Sequence, residues 1–260
     1  MRGYNFARTS ARAVHPATEQ AGPGILETWF DSHTEGPGIW KFRHYFNIYE
    51  RHFAKFRGQE VHILEIGVYS GGSLKMWKDY FGPKARVYGV DIEPVCRIYE
   101  DDQTQIFIGD QADKSFWDEV LRQVPRIDVV VDDGGHLPEQ QIATLEALLP
   151  NMQPGGVFMC EDLYGKASPF LSYMDGLARE LHAYSAAAVR DADPGVLPEM
   201  LGNTWASSFQ QLVDSVHTYP FMSVVELRDS PVERFTSPRH GTEWKPTASA
   251  PWAAAPEEWL

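Results

Sequence analysis

Apolar positions along this chain fall in short continuous blocks, each closed by small or polar residues. Val61 to Val68 is a mainly apolar run, followed at once by Ser70, Gly71, Gly72 and Ser73, and an amphipathic stretch begins at Leu74. Apolar run, glycine turn and helix together predict the opening of a doubly wound α/β sheet. The pattern then repeats. Strands are predicted at Arg86–Ile92, Gln105–Ile108, Ile127–Val131 and Gly156–Cys160, with helices at Leu74–Phe81, Ser115–Val124, Pro138–Leu149 and Phe170–Tyr184 between and after them. Strands that are apolar throughout, rather than at alternate positions, are buried on both faces, as in a parallel sheet.

Upstream, Lys41–Phe56 reads as a helix, because Phe42, Tyr45, Phe46, Tyr49 and Phe53 recur at spacings of three and four and form one apolar face. Ile25–Phe30 reads as a short helix within glycine- and proline-rich turns. Downstream, Thr204–Val216 is expected to be helical, and Val216–Pro220 with Met222–Leu227 to form an antiparallel hairpin at the end of the sheet. The expected fold is therefore α/β: a Rossmann-like, doubly wound, mostly parallel seven-stranded sheet with a C-terminal antiparallel hairpin. Residues 1–40 are expected to be an arm or lid, 41–228 the main domain and 229–260 an extended tail. A loop or lid is expected over Asp191–Asn203, which holds two prolines and two glycines.

Composition narrows the function. The chain has 260 residues and a net charge of −13, which repels nucleic-acid phosphates, and no apolar run approaches a membrane span. Arg2, Arg8 and Arg12 stand in a first segment without acids, a bias shared with transit peptides. With no apolar core for secretion, an arm over the domain is the expectation. Cys96 and Cys160 are the only cysteines. Cys160 lies in an apolar strand, so free buried thiols and a reduced, cytoplasmic setting are expected.

Right-handed crossovers bring the carboxyl ends of all parallel strands to one edge. That edge carries Glu65, Asp91, Asp110, Asp133, His136, Glu161 and Asp162. Glu65 is anomalous near the end of a buried strand, because a buried charge needs a partner; a cationic ligand is one. Asp91, about twenty residues past Gly71, stands where a nucleotide-binding sheet puts the acid that holds ribose hydroxyls. The turn reads Gly67-Val68-Tyr69-Ser70-Gly71-Gly72. It lacks the tight first step of a GxGxxG dinucleotide fingerprint, which argues against a nicotinamide enzyme.

The turn Glu65-x-Gly67-x-x-x-Gly71 with Asp91 resembles that of class I methyltransferases using S-adenosylmethionine. The tips Asp133-Gly134-Gly135-His136 and Glu161-Asp162 further resemble the metal-dependent O-methyltransferases of antibiotic tailoring, namely the macrolide-sugar and cephalosporin-hydroxylase-like families. The resemblance covers about residues 40–165 well and Val216–Leu227 more loosely. It implies that Asp133, Glu161 and Asp162 hold Mg²⁺ or another divalent cation, and that His136 is the general base. It implies that Tyr49, Glu65, Gly67, Tyr69, Ser70, Gly71, Ser73, Asp91, Ile92 and Asp133 surround the cofactor, with Asp110 and Gln111 at its adenine. Where the macrolide branch has a short Asp-Lys-Gly segment, this chain has Glu35-Gly36-Pro37-Gly38-Ile39-Trp40-Lys41.

The residue chemistry runs parallel to this. Three carboxylates converging on a point repel one another unless a cation neutralises them, and Mg²⁺ favours oxygen ligands. Histidine titrates near neutrality and can take a hydroxyl proton. Each acid also has a plainer reading, Asp133 as a helix cap and Glu161-Asp162 as a solvated loop. The expected function is Mg²⁺-assisted methyl transfer to a hydroxyl of a small sugar or polyketide-like natural product, by a homo-oligomer. The alternatives are a non-catalytic module that binds S-adenosylmethionine, and an N- or C-methyltransferase on the same scaffold.

Overall fold

The computed structural model describes residues 22–183, 203–236, 238 and 240–242. Residues 1–21, most of the expected lid over 191–203, and the tail beyond 242 with Trp244 and Trp252 lie outside the described residues.

Two helices, α1 (Ile25–Ser32) and α2 (Arg43–Phe53), precede the first strand. Five strands and four helices follow: β1 (His62–Ile66), α3 (Gly72–Phe81), β2 (Arg86–Asp91), β3 (Thr104–Ile108), α4 (Lys114–Gln123), β4 (Val129–Asp132), α5 (Pro138–Leu148), β5 (Val157–Cys160) and α6 (Pro169–Glu180). The chain then forms β6 (Asn203–Trp205), α7 (Ser208–Leu212), β7 (Val213–Tyr219), β8 (Met222–Leu227) and β9 (Arg234–Thr236). The main sheet has seven strands in the order β3-β2-β1-β4-β5-β8-β7, and β6 and β9 form a separate pair. Strands β1 to β5 are mutually parallel, while β8 runs antiparallel to β5 and β7 antiparallel to β8. This is the expected α/β Rossmann-like sheet with its hairpin.

The order reverses at β1, which pairs with β2 on one side and β4 on the other. The crevice beyond the carboxyl ends of β1 and β4 is thus the topological switch point, where open α/β sheets take ligands. Each face of the sheet is covered. Ile63, Val87, Val129, Val131, Val157 and Met159 pack beneath α1–α3 with Tyr49, Phe53 and Trp77. Leu64, Ile66, Val90, Val130, Phe158 and Cys160 pack against α4–α6 with Trp117, Leu148 and Phe170. Cys96 and Cys160 are free and buried, as expected. Among the described residues, no helix is long and apolar enough to cross a membrane.

The continuous helix expected over Thr204–Val216 is replaced by a strand, a short helix and a strand. Ser207 Oγ accepts from the Gln210 amide while Gln210 Oε1 accepts from the Ser207 amide, a capping box that starts α7. From Val213 onward the chain pairs with β8 across the sheet edge. The neighbour wins over local helix propensity.

The backbone at the switch point leaves no room for side chains. Gly67 has φ of +89°, and a Cβ there would lie 2.0 Å from the Asp133 carbonyl oxygen. Gly67→Ala therefore combines left-handed strain with a backbone clash. We expect it to lose about 2–4 kcal/mol of stability, read as a lowered midpoint in urea unfolding.

Candidate active site at the strand carboxyl ends

A cavity of about 680 Å³ opens over the switch point. Its walls are the turn after β1, the tips of β2 to β5, and the extended segment Gly38–Phe42 that leads into α2. The Gly72 amide donates to the Gly38 carbonyl at 3.1 Å and ties that segment to the start of α3.

On the β2 side, Gly67, Tyr69, Ser70, Asp91, Ile92 and Asp110 all line the cavity. Asp91 braces the turn: its Oδ2 accepts from the Tyr69 amide at 3.0 Å and its Oδ1 from the Glu93 amide at 2.9 Å. Each oxygen keeps a lone pair for another donor. Ile92 is exposed beside it and Tyr69 is 78% exposed. Gly71, with φ of +72°, starts α3 against the Tyr99 ring. Asp110 Oδ1 accepts from the Ala112 amide, and the cap of α4 is Asp113.

Gln111 reaches the cavity wall, but its amide is committed to protein partners. Nε2 donates to Asp132 Oδ1 and Thr144 Oγ1, and Oε1 accepts from the Gly135 amide at 2.7 Å. The side chain braces the β4 tip while lining the cavity, and its Oε1 keeps one lone pair. Glu65 and Tyr49 stand behind the cavity wall, while Ser73 lines it. Along β1, Ile63 and Glu65 share a face, so the Glu65 carboxylate turns under α3. Its Oε2 accepts from Ser73 Oγ at 2.7 Å and its Oε1 from Trp77 Nε1 at 3.1 Å. Tyr49 is fully buried and donates to Glu161 Oε1 at 2.6 Å. Glu65 and Tyr49 thus support the rim from beneath.

The cation that answers these acids belongs to the chain itself. Lys41 Nζ lies 2.5 Å from Asp133 Oδ2 and 2.9 Å from Glu161 Oε2, with its side chain 3% exposed. Burial works against the ammonium, but Asp133, Glu161 and Glu65 outweigh it and raise its pKa. One ammonium among three buried or half-buried carboxylates leaves negative charge in excess. Burial accordingly pushes Glu161 up despite Lys41, and pushes Glu65 up to about 7 against Lys41, Ser73 and Trp77. On the opposite face, Asp132 is raised to about 6 by burial, and its Oδ2 has no hydrogen-bond partner.

The expected metal trio is therefore divided. Asp133 and Asp162 offer oxygens that, with a ring nitrogen of His136, all lie within 4.8 Å of one another. Glu161 instead has both oxygens engaged, by Lys41 and by Tyr49. Asp162 is set by Tyr45, whose hydroxyl donates to its Oδ1 at 2.7 Å and meets its amide at 3.3 Å. His136 and Asp162 have φ of +57° and +53°, both in the left-handed region. Lys41 and Tyr45 were not singled out from the sequence. The signal available was the surplus of acids at strand ends, which demands a cation without saying which one. His52, His217 and Glu226 form a second group of possible ligands. There His52 Nδ1 pairs with Glu226 and Nε2 with the Tyr219 hydroxyl, fastening α2 to the hairpin.

A mostly parallel sheet with a glycine turn after its first strand and acids around one crevice defines a class, the Rossmann-like methyltransferase fold. Residues 64–163 match the family model described as a methyltransferase domain, so this stretch is a domain of that class. Over 131 residues the chain is 37% identical to mycinamicin VI 2''-O-methyltransferase of Micromonospora griseorubida, covering 47% of this chain and 32% of that protein. Over 246 residues it is 31% identical to the 8-demethyl-8-(2-methoxy-alpha-L-rhamnosyl)-tetracenomycin-C 3'-O-methyltransferase of Streptomyces olivaceus, covering 85% and 58%. The solved structure of MycE methyltransferase from the mycinamycin biosynthetic pathway, in complex with Mg, SAH and mycinamycin VI, superposes with a TM-score of 0.60 at 25% identity. That superposition covers 78% of this chain and 52% of that one. The chain thus spans between about a third and three fifths of the length of these relatives.

Glu65 generates a pH prediction. Burial raises its folded-state pKa to about 7, above the ordinary carboxylate value of 4.5. Its contribution to stability is therefore complete below pH 4.5 and is lost as pH rises through 7. Relative to Glu65→Gln, the wild type should lose roughly 1–3 kcal/mol between pH 5 and pH 8, measured by urea unfolding at each pH.

Proposed function

We propose that this chain transfers a methyl group from S-adenosylmethionine to a hydroxyl of a small sugar or polyketide-like molecule, assisted by a divalent cation. The observation that carries the reading is a single cavity lined by Gly67 and Asp91 on the β2 side and by Asp133, His136 and Asp162 on the β4–β5 side. The relatives named above, with the Mg, SAH and mycinamycin VI of the MycE complex, support it. The net charge of −13 suits a small acceptor better than a nucleic acid.

The chain's own residues divide the work. Asp91 presents its free lone pairs to ribose hydroxyls, beside the turn at Tyr69 and Ser70, and Asp110 lies next along the rim. Asp133 and Asp162 would hold the cation, whose preference for oxygen ligands their carboxylates fit, with a ring nitrogen of His136 within 4.8 Å of those oxygens. When bound, the sulfonium donor supplies an electrophilic methyl, and the cation supplies a Lewis acid for the acceptor hydroxyl. His136 accepts the hydroxyl proton as the acceptor oxygen takes the methyl. No covalent enzyme intermediate is needed, so positioning and deprotonation provide the acceleration.

The test is methyl transfer by the full chain to a panel of glycosylated polyketides. Turnover should vanish with chelator and return with Mg²⁺; turnover indifferent to chelator would remove the cation from the scheme. His136→Ala should lower kcat by about 10²–10⁴-fold while SAH affinity stays within about twofold. Asp91→Ala should instead weaken SAH binding, read by calorimetry, by about tenfold or more, as expected for lost charge-assisted hydrogen bonds.

A further inference from the structure

We propose that Lys41 is a resident counter-cation that competes with the divalent ion for the rim carboxylates, so that metal enters only as the Lys41 ammonium leaves Asp133. This rests on the reading that a divalent ion serves this rim. Asp133 belongs to two groups at once: it bonds Lys41 Nζ at 2.5 Å and is one of the three residues whose ligand atoms cluster with His136 and Asp162. Two cations on one half-buried carboxylate repel each other, and the repulsion is strong where water is scarce. Glu161 is the other oxygen donor at this rim, and Lys41 holds its Oε2 at 2.9 Å. The ammonium thus stands against both the shared ligand and the acid that would otherwise complete an oxygen set.

The ammonium is free to yield. Lys41 reaches the acids on a flexible four-carbon stem, and its only hydrogen-bond partners among the described residues are Asp133 and Glu161. It precedes α2 in the segment Gly38–Phe42, whose backbone is fastened separately through the Gly38 carbonyl and the Gly72 amide. The neighbouring Trp40 is 90% exposed. Withdrawal of the side chain therefore leaves α2 and the strand tips in place. Without metal, Lys41 keeps Asp133 and Glu161 from repelling each other; with metal, the ion takes over that task.

The experiment is titration of the full-length chain and its Lys41→Met variant at one fixed pH, with Mn²⁺ followed by electron paramagnetic resonance and Mg²⁺ by calorimetry. Lys41→Met should bind Mn²⁺ at least tenfold more tightly than wild type; equal or weaker binding overturns the proposal. The substitution removes a cation from buried acids and can unfold the variant, so a second measurement uses wild type alone. Acetylation of lysines by an N-hydroxysuccinimide ester, read at Lys41 by peptide mass spectrometry, should be several-fold faster at saturating Mg²⁺. Unchanged or slower labelling overturns the proposal. Equal metal binding by both proteins removes the competition but leaves the metal reading standing, whereas no metal binding by either removes both.

Discussion

The rim depends on one electrostatic constraint: a parallel sheet buried on both faces has brought several carboxylates to its ends, and they cannot stand there without positive charge. Glu65, Asp133 and Glu161 follow apolar strand residues on the face covered by α1–α3, where the dielectric is low and leaving any of them unpaired is costly. Lys41 meets that demand from a segment 92 residues away from Asp133 and 120 away from Glu161 in sequence. Once the ammonium is required at the rim, the segment that carries it must cross the strand ends. The same crossing makes that segment a wall of the cavity and sets α2 over the sheet. Its aromatic face then packs with α3, as Tyr49 does against Trp77 at 5.2 Å between ring centroids.

The period of two along each strand separates supporting acids from presenting ones. Residues in step with Ile63, Val131 and Met159 turn under the helices, so Glu65 and Glu161 are buried, bonded to Ser73, Trp77, Tyr49 and Lys41. Asp132, in step with Val130, turns to the other face and meets Gln111. Asp91, the last paired residue of β2, and Asp133 and Asp162, past the ends of β4 and β5, line the cavity. One rim therefore contains a buried layer that fixes geometry and an open layer that offers lone pairs. Asp133 alone belongs to both, through its bond to Lys41 and its place beside His136 and Asp162.

This division explains what the sequence disclosed. Continuous apolar blocks are a strong signal, and the five parallel strands and the strand Met222–Leu227 follow from them within a residue or two, as do their helices except the last, read to Tyr184 and ending at Glu180. The same blocks conceal orientation: with apolar residues on both faces of β1, nothing in the pattern says which face Glu65 takes. Glu65 and Tyr49 lie behind the wall, bonded to protein partners, and Gln111 both lines the cavity and braces the β4 tip. Lys41 was invisible as an electrostatic partner, because local sequence makes it only the first residue of an aromatic helix. The helix expected over Thr204–Val216 fails for a related reason, since pairing with β8 is a property of the neighbour and not of the segment.

Strain supports the view that the open layer is built for ligands and not for stability. The non-glycine residues with positive φ among the described residues are Tyr69, His136, Asp162 and Phe221. The first three follow β1, β4 and β5 at the switch point, and Phe221 receives the Tyr45 hydroxyl that also sets Asp162. Such conformations cost on the order of 1–3 kcal/mol each and persist only where surrounding contacts over-determine them. Here those contacts are the Asp91 bridge to the Tyr69 amide, the Gln111 brace under Gly135 and the Tyr45 bond to Asp162. Each comes from a different element, so the strained tips are held by the assembled fold and not by their own loops. A rim arranged this way keeps His136, Asp162 and the turn aimed into the cavity before anything binds, which is the preorganisation that transfer between two bound molecules requires.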